Sequence, residues 1–131
     1  MIEELVIHVD GACSGNPGPA GIGVVIKENG QVIKEISKPI GQATNNIAEY
    51  SALVYALQEA LVFQAKKITV FTDSELMYSQ IKGLYKVKDE KLRFLYEQVK
   101  QLTSNFKIFD IHHVLREHNQ EADKLASSAL K

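Results

Sequence analysis

The chain has 131 residues, 45% hydrophobic and 24% charged, with a net charge of −1 and a pI near 6.4. That size suits one domain with a real core, and the charge excludes a global basic field, so a nucleic-acid partner would need a local patch. The lone Cys13 excludes an internal disulfide, the start "MIEELVIHVD" has acids where a signal peptide needs positive charge, and no apolar run nears a membrane span of ~18–20 residues.

A cytoplasmic protein is expected, with a monomer as the default state. Cys13, in a loop without CxxC spacing, reads as a small packed thiol.

Leu5 to Val9 is a nearly continuous apolar run, as in a strand covered on both faces, and it stops at Asp10. The small-residue loop "GACSGNPGPAG" follows. "GIGVVIKENG" and "QVIKEISKPIG" then flank Asn29-Gly30, the strongest short hairpin signal, and read as antiparallel neighbours. In "NNIAEYSALVYALQEALVFQ" the period becomes helical, with Tyr50, Leu53, Leu57, Ala60 and Leu61 recurring on one face. Ala48, Ala52, Ala56 and Ala60 add a small-residue stripe that lets this helix lie close to a sheet.

Lys66 to Asp73, "KKITVFTD", is another apolar strand ending on an acid. "SELMYSQIKG" reads as a short helix closed by Gly83, and "KDEKLRFLYEQVKQL" as a helix with Leu92, Leu95, Tyr96, Val99 and Leu102 facing inward. "KIFDIHHVL" is a last strand and "NQEADKLASSAL" a C-terminal helix. The order β-β-β-α-β-α-α-β-α implies an α/β domain over residues 1–131, a mixed sheet with helices packed on it. No linker, repeat or low-complexity tract divides it.

Four acids stand out, and each has a local explanation. Asp10 can begin a turn. Asn46-x-x-Glu49 looks like a capping box. Asp73 can cap the helix that follows it, and Asp123 can complement its helix dipole. Their conjunction says more. Asp10 and Asp73 both end strands that should run parallel, which places them at the sheet edge where ligands of open α/β sheets collect. Glu49 lies one turn before the inward-facing Leu53 and so points toward the same edge. Three such carboxylates repel one another unless cations neutralise them, and hard oxygen ligands suit magnesium or manganese.

The ordered set "DGACSGNPGPAG", "TNNIAEY", "FTDSE" and "REHNQEADKLA" resembles the type 1 ribonuclease H family over nearly the whole chain. The resemblance implies the ribonuclease H-like fold, a five-stranded mixed sheet of order 3-2-1-4-5 flanked by helices, with only the second strand antiparallel to the rest. It implies that Asp10, Glu49, Asp73 and Asp123 are metal-binding catalytic acids for two Mg2+ ions, with Mn2+ as a substitute. The implied reaction is endonucleolytic hydrolysis of the RNA strand of an RNA/DNA hybrid, leaving 5′-phosphate and 3′-hydroxyl ends. Gly11, Cys13, Ser14 and Asn16 match loop positions that touch the hybrid, where backbone amides meet 2′-hydroxyls. Asn45 and Asn46 match minor-groove contacts, Thr44 matches a DNA phosphate contact, and Ser74 matches a further substrate-binding position.

The chain also departs from that pattern. Where several relatives carry a basic handle with a tryptophan, it has only "GLYKVKDEK" and no tryptophan. Lys82, Lys86, Lys88 and Lys91 either contact phosphates or solvate a surface, so weak and strongly salt-sensitive hybrid binding is expected. His118, five positions before Asp123, is the candidate for a histidine that assists proton transfer or product release; it also reads as a helix-entry residue. His8, His112 and His113 read as packing or surface residues. Glu75 weakens phosphate approach or points outward. A nuclease for double-stranded RNA and a non-catalytic nucleic-acid-binding module are the alternatives.

Overall fold

A computed structural model describes residues 2–131. The elements are β1 (Ile2–Cys13), β2 (Gly18–Glu28), β3 (Gln31–Ala43), α1 (Asn45–Val62), β4 (Ala65–Thr72), α2 (Glu75–Ile81), α3 (Glu90–Thr103), β5 (Ile108–His113) and α4 (Gln120–Ser128). A 3-10 turn, Arg116–His118, precedes α4. One five-stranded sheet has the order β3-β2-β1-β4-β5, with β2 antiparallel to β1 and β3, and β4 parallel to β1 and β5. The expected mixed sheet and strand order therefore stand.

Local chemistry explains the turns. Asn29 and Gly30 both take positive φ, 52° and 81°, as a two-residue hairpin turn requires. Among the described residues, no helix is long and apolar enough to cross a membrane.

Leu5, Ile7 and Val9 of β1 are fully buried against α1, whose alanine stripe (Ala48, Ala52, Ala56, Ala60) is fully buried too. Small side chains let the helix axis approach the sheet, so Leu53 and Leu57 pack among the strand side chains. On the opposite face α4 sits on β2. A Cβ on Gly23 would stand 2.1 Å from the Ala122 carbonyl oxygen, so only glycine admits the helix there. Gly23 pairs directly with Asp10, so Asp10 shares the face that α4 covers. Ser37 Oγ fastens the same helix to β3 by donating to the Leu125 carbonyl at 2.6 Å. The central strands are thereby clamped between two helices, which fixes the backbone around Asp10.

Candidate active site

The parallel ladder of β1 and β4 ends at the pair Val9 and Thr72. Asp10 is the next residue of β1 and Asp73 the first residue after β4, so both acids stand where the strands part. The apolar run suggested that β1 itself ends at Asp10, and this is corrected. The strand continues to Cys13 because β2 still pairs with it, through Asp10–Gly23 to Cys13–Ala20. What stops at Asp10 is the partnership with β4.

Glu49 arrives from the first turns of α1. The Gly11 backbone N–H donates to Glu49 Oε1 at 2.5 Å, tying strand to helix. A Cβ on Gly11 would lie 2.4 Å from the Ala48 carbonyl carbon, so glycine is needed there for the protein's own helix. One carboxylate oxygen from each of Asp10, Glu49 and Asp73 lies within 4.8 Å of the others.

Other residues perform the local capping. Thr44 Oγ1 accepts from Ile47 N at 3.2 Å and caps α1, so the capping box through Asn46 and Glu49 does not form. Ser74 Oγ accepts from Met77 N at 3.1 Å and caps α2, while Thr72 Oγ1 accepts from Ser74 N at 3.0 Å. Glu49 and Asp73 are thus free of the helix-capping duties that would explain them locally.

Asp10 is only 4% exposed. Burial pushes its carboxyl up to about 10, and the Glu49 and Asp73 charges push in the same direction. Burial also raises Glu49, to about 7, with Asp73 adding to the rise; the Asp10 hydrogen bond, the Gly11 amide and the Arg116 charge oppose it. Three crowded oxygen donors, of which Asp10 and Glu49 resist ionisation on their own, form the donor set a hard divalent cation satisfies, so Mg2+ or Mn2+ fits these residues.

Asp123 lies outside the tight trio, half-buried in the first turn of α4. Its carboxylate stands near enough to Asp10 to help raise the Asp10 pKa. Its Oδ1 is 3.5 Å from Arg116 Nη2, an exposed contact of little energetic weight by itself.

A cleft of about 590 Å³ opens over the acids, with Gly11, Cys13, Ser14 and Asn45 on its walls. Arg116 lines it too, a residue the sequence reading passed over. The basic side chain in "REHNQEAD" was the available signal, but only the 3-10 turn after β5 decides which member of Arg116–His118 turns inward. His118 is exposed and does not line this cleft.

A second cleft of about 610 Å³ has Asn16, Thr44, Asn46 and Lys91 in its lining, with the carboxylates Asp89 and Glu90 beside them. Asn16 Oδ1 accepts from Asn45 N at 3.0 Å, joining the walls of the two clefts. Cys13 Sγ donates to the Ala43 carbonyl at 2.8 Å, which matches a packed thiol and leaves the neighbouring backbone to line the acid cleft. Ser74 lines neither cleft and Glu75 is exposed.

A third cleft, about 810 Å³, lies between α2 and α3, with Tyr85, Lys86, Lys88, Arg93 and Tyr96 in its lining. Its loop is anchored by Gln80, which accepts from the buried Tyr50 hydroxyl at 2.6 Å and donates to the Lys86 carbonyl at 3.2 Å. His8 and His112 stack on either side of Phe71, at 5.0 and 5.4 Å, and His113 packs near Tyr78. His8 is half-buried and packs there, while His112 and His113 are exposed surface residues.

A five-stranded sheet of this order, with acids where its two central parallel strands part, defines the ribonuclease H-like class. A profile described as reverse transcriptase-like matches residues 8–129. The bifunctional protein Rv2228c of Mycobacterium tuberculosis is 40% identical over 129 residues. That match covers 97% of this chain and 35% of the relative, so the chain spans about a third of the length of the curated relatives of this kind. The crystal structure of RNase H1 from the halophilic archaeon Halobacterium salinarum is similar at TM-score 0.94 and 39% identity, covering 97% of each chain. LC11-RNase H1, solved in complex with an RNA/DNA hybrid, is similar at TM-score 0.91 and 39% identity, covering 96% of each. The chain belongs to the type 1 ribonuclease H family, in a short form without the basic protrusion.

Proposed function

We propose that this chain is an endoribonuclease that hydrolyses the RNA strand of RNA/DNA hybrids with two divalent ions, Mg2+ or in its place Mn2+. The observation that carries the reading is the convergence of Asp10, Glu49 and Asp73 where β1 leaves β4. Bound there, such ions supply an activated water and stabilise the departing 3′ oxygen, leaving a 5′-phosphate and a 3′-hydroxyl.

The chain's own residues hold and tune that chemistry. Asp10, buried at the end of the ladder, would hold the ions together with Glu49 and Asp73, and Asp123 would help hold the second. The Gly11 amide holds Glu49 in place, and the Arg116 charge favours its ionised form. Rigid strand ends keep these oxygens in register without reorganisation, which is what electrostatic stabilisation of a transition state requires.

The two adjoining clefts suit a duplex with two backbones. In this reading the RNA strand crosses the acid cleft, where Gly11, Cys13 and Ser14 present backbone to its 2′-hydroxyls. The DNA strand runs over Asn16, Thr44, Asn46 and Lys91, and Asn45 stands at the joint. Ser74 contributes through the backbone beside Asp73. His118 is left to the rim, with Arg116 nearer the acids. The relative solved with an RNA/DNA hybrid supports the choice of partner. Residues 1–131 act as one catalytic domain, monomeric and cytoplasmic.

The test incubates a labelled hybrid, an RNA duplex and a DNA duplex with Mg2+ at low salt. Cutting of the hybrid's RNA strand, lost in Asp73→Asn, supports the proposal. Preferential cutting of the RNA duplex would favour a double-strand ribonuclease, and binding without cutting a non-catalytic module.

A further inference from the structure

Asn119 is 1% exposed, lies just ahead of α4, and occupies its N-cap position. Asparagine at an N-cap ordinarily accepts a hydrogen bond from an amide of the first turn. Here the side chain makes no capping bond, and the residue has φ −129° and ψ 29°. Its Nδ2 instead donates to the Val9 carbonyl at 2.9 Å, across 110 positions of sequence. That carbonyl belongs to the peptide unit joining Val9 to Asp10. The backbone carbonyl of Asn119 meanwhile accepts from Asp123 N at 3.1 Å.

One buried residue therefore grips the peptide before Asp10 with its side chain and the amide of Asp123 with its backbone. We infer that Asn119 is a positioning residue that sets Asp10 against Asp123, and with them the spacing of the second ion position. The inference rests on the nuclease reading and deepens it.

The chemistry of the side chain is specific to the task. A neutral amide donates to a buried carbonyl without adding charge to a crowded anionic site. Aspartate of the same shape would face that carbonyl with an acceptor and add a like charge, and alanine would leave the carbonyl unpaired. The Asn119 Oδ1 is itself buried with no hydrogen-bond partner among the described residues, so the amide is oriented there by its donor side.

The test compares Asn119→Ala and Asn119→Asp with the wild type and with Ser37→Ala. The last removes a side-chain tie between α4 and β3 and reports a purely structural loosening of that helix. Mn2+ uptake by calorimetry is read first, without substrate, followed by kcat and KM on a labelled hybrid. Removal of an outer-shell partner of this kind is expected to weaken Mn2+ affinity and lower kcat by about tenfold or more, with KM within about twofold. Ser37→Ala should leave both near wild type.

Wild-type Mn2+ affinity and kcat in a folded Asn119→Ala would overturn the inference, as would an equal loss in Ser37→Ala. If Asn119→Ala does not fold, Asn119→Ser, which keeps a donor of shorter reach, takes its place. Failure of both to fold would overturn the positioning role in favour of a structural one. A wild-type protein that takes up no Mn2+ would sink the nuclease reading itself, a result distinct from unchanged uptake in the variant.

Discussion

Gly11 donates its backbone N–H to Glu49 Oε1, so β1 and α1 are joined at the acid cluster itself. The same glycine leaves no room for a side chain, since a Cβ would sit 2.4 Å from the Ala48 backbone. Gly11→Ala must push α1 off the strand and carry Glu49 with it. The expected result is a stability loss of about 1–3 kcal/mol in urea unfolding, the usual scale for overpacking. Hybrid cleavage should fall further than that loss explains, measured as kcat on the folded fraction.

The raised carboxyl pKa values make the metal-free protein sensitive to pH. Both shifts favour the protonated group in the folded chain, against an ordinary value of about 4. Their contribution to stability is complete below that value and is lost as pH rises through about 7 for Glu49 and about 10 for Asp10. Melting in chelator should therefore drop between pH 5 and pH 9. Asp10→Asn should flatten that drop and raise Tm at pH 9 by about 3–10 °C. Added Mg2+ should restore the wild type and leave the variant nearly unmoved.

Arg116 lines the acid cleft and favours the ionised form of Glu49. Without it Glu49 holds its proton to higher pH. Arg116→Ala should shift the acidic limb of the kcat/KM profile upward by a fraction of a pH unit, a small effect because the side chain is largely exposed. Arg116→Lys, which keeps the charge, should restore most of the profile.

Lys91 sits in the second cleft beside Thr44 and Asn46. If the uncut strand passes there, Lys91→Ala should raise KM with kcat unchanged. The slope of log KM against log salt should shrink by about 0.7–0.9, the share of one phosphate contact. Lys82→Ala, on an exposed residue that lines none of the three clefts described, should change neither quantity.

Much of this architecture was legible because the signals were local or periodic. The Asn29-Gly30 hairpin, the alanine stripe of α1 and the apolar runs of β1 and β4 each follow from spacing within one segment. The convergence of Asp10 with Asp73 followed from two strands expected to run parallel. The extension of β1 to Cys13 was not legible, since Gly11 and Ala12 carry no apolar alternation and are held by pairing with β2. Capping was misread for a similar reason. Thr44, Asn45 and Asn46 are all competent caps, and only the phase at which α1 docks on Gly11 selects Thr44. Arg116 and His118 differ by two positions in an irregular turn, where no periodicity distinguishes inside from outside.

The Asn29–Gly30 turn lies at the far end of β1 from the acids, since Val6 pairs with Lys27 while Asp10 pairs with Gly23. Nothing approaches within 4 Å of where a Gly30 side chain would begin. An affinity tag or fluorophore spliced in at that tip would face open solvent, away from the acid cluster. The molecule can thus be tethered to a surface by its blunt end with the acid cluster left open to solution.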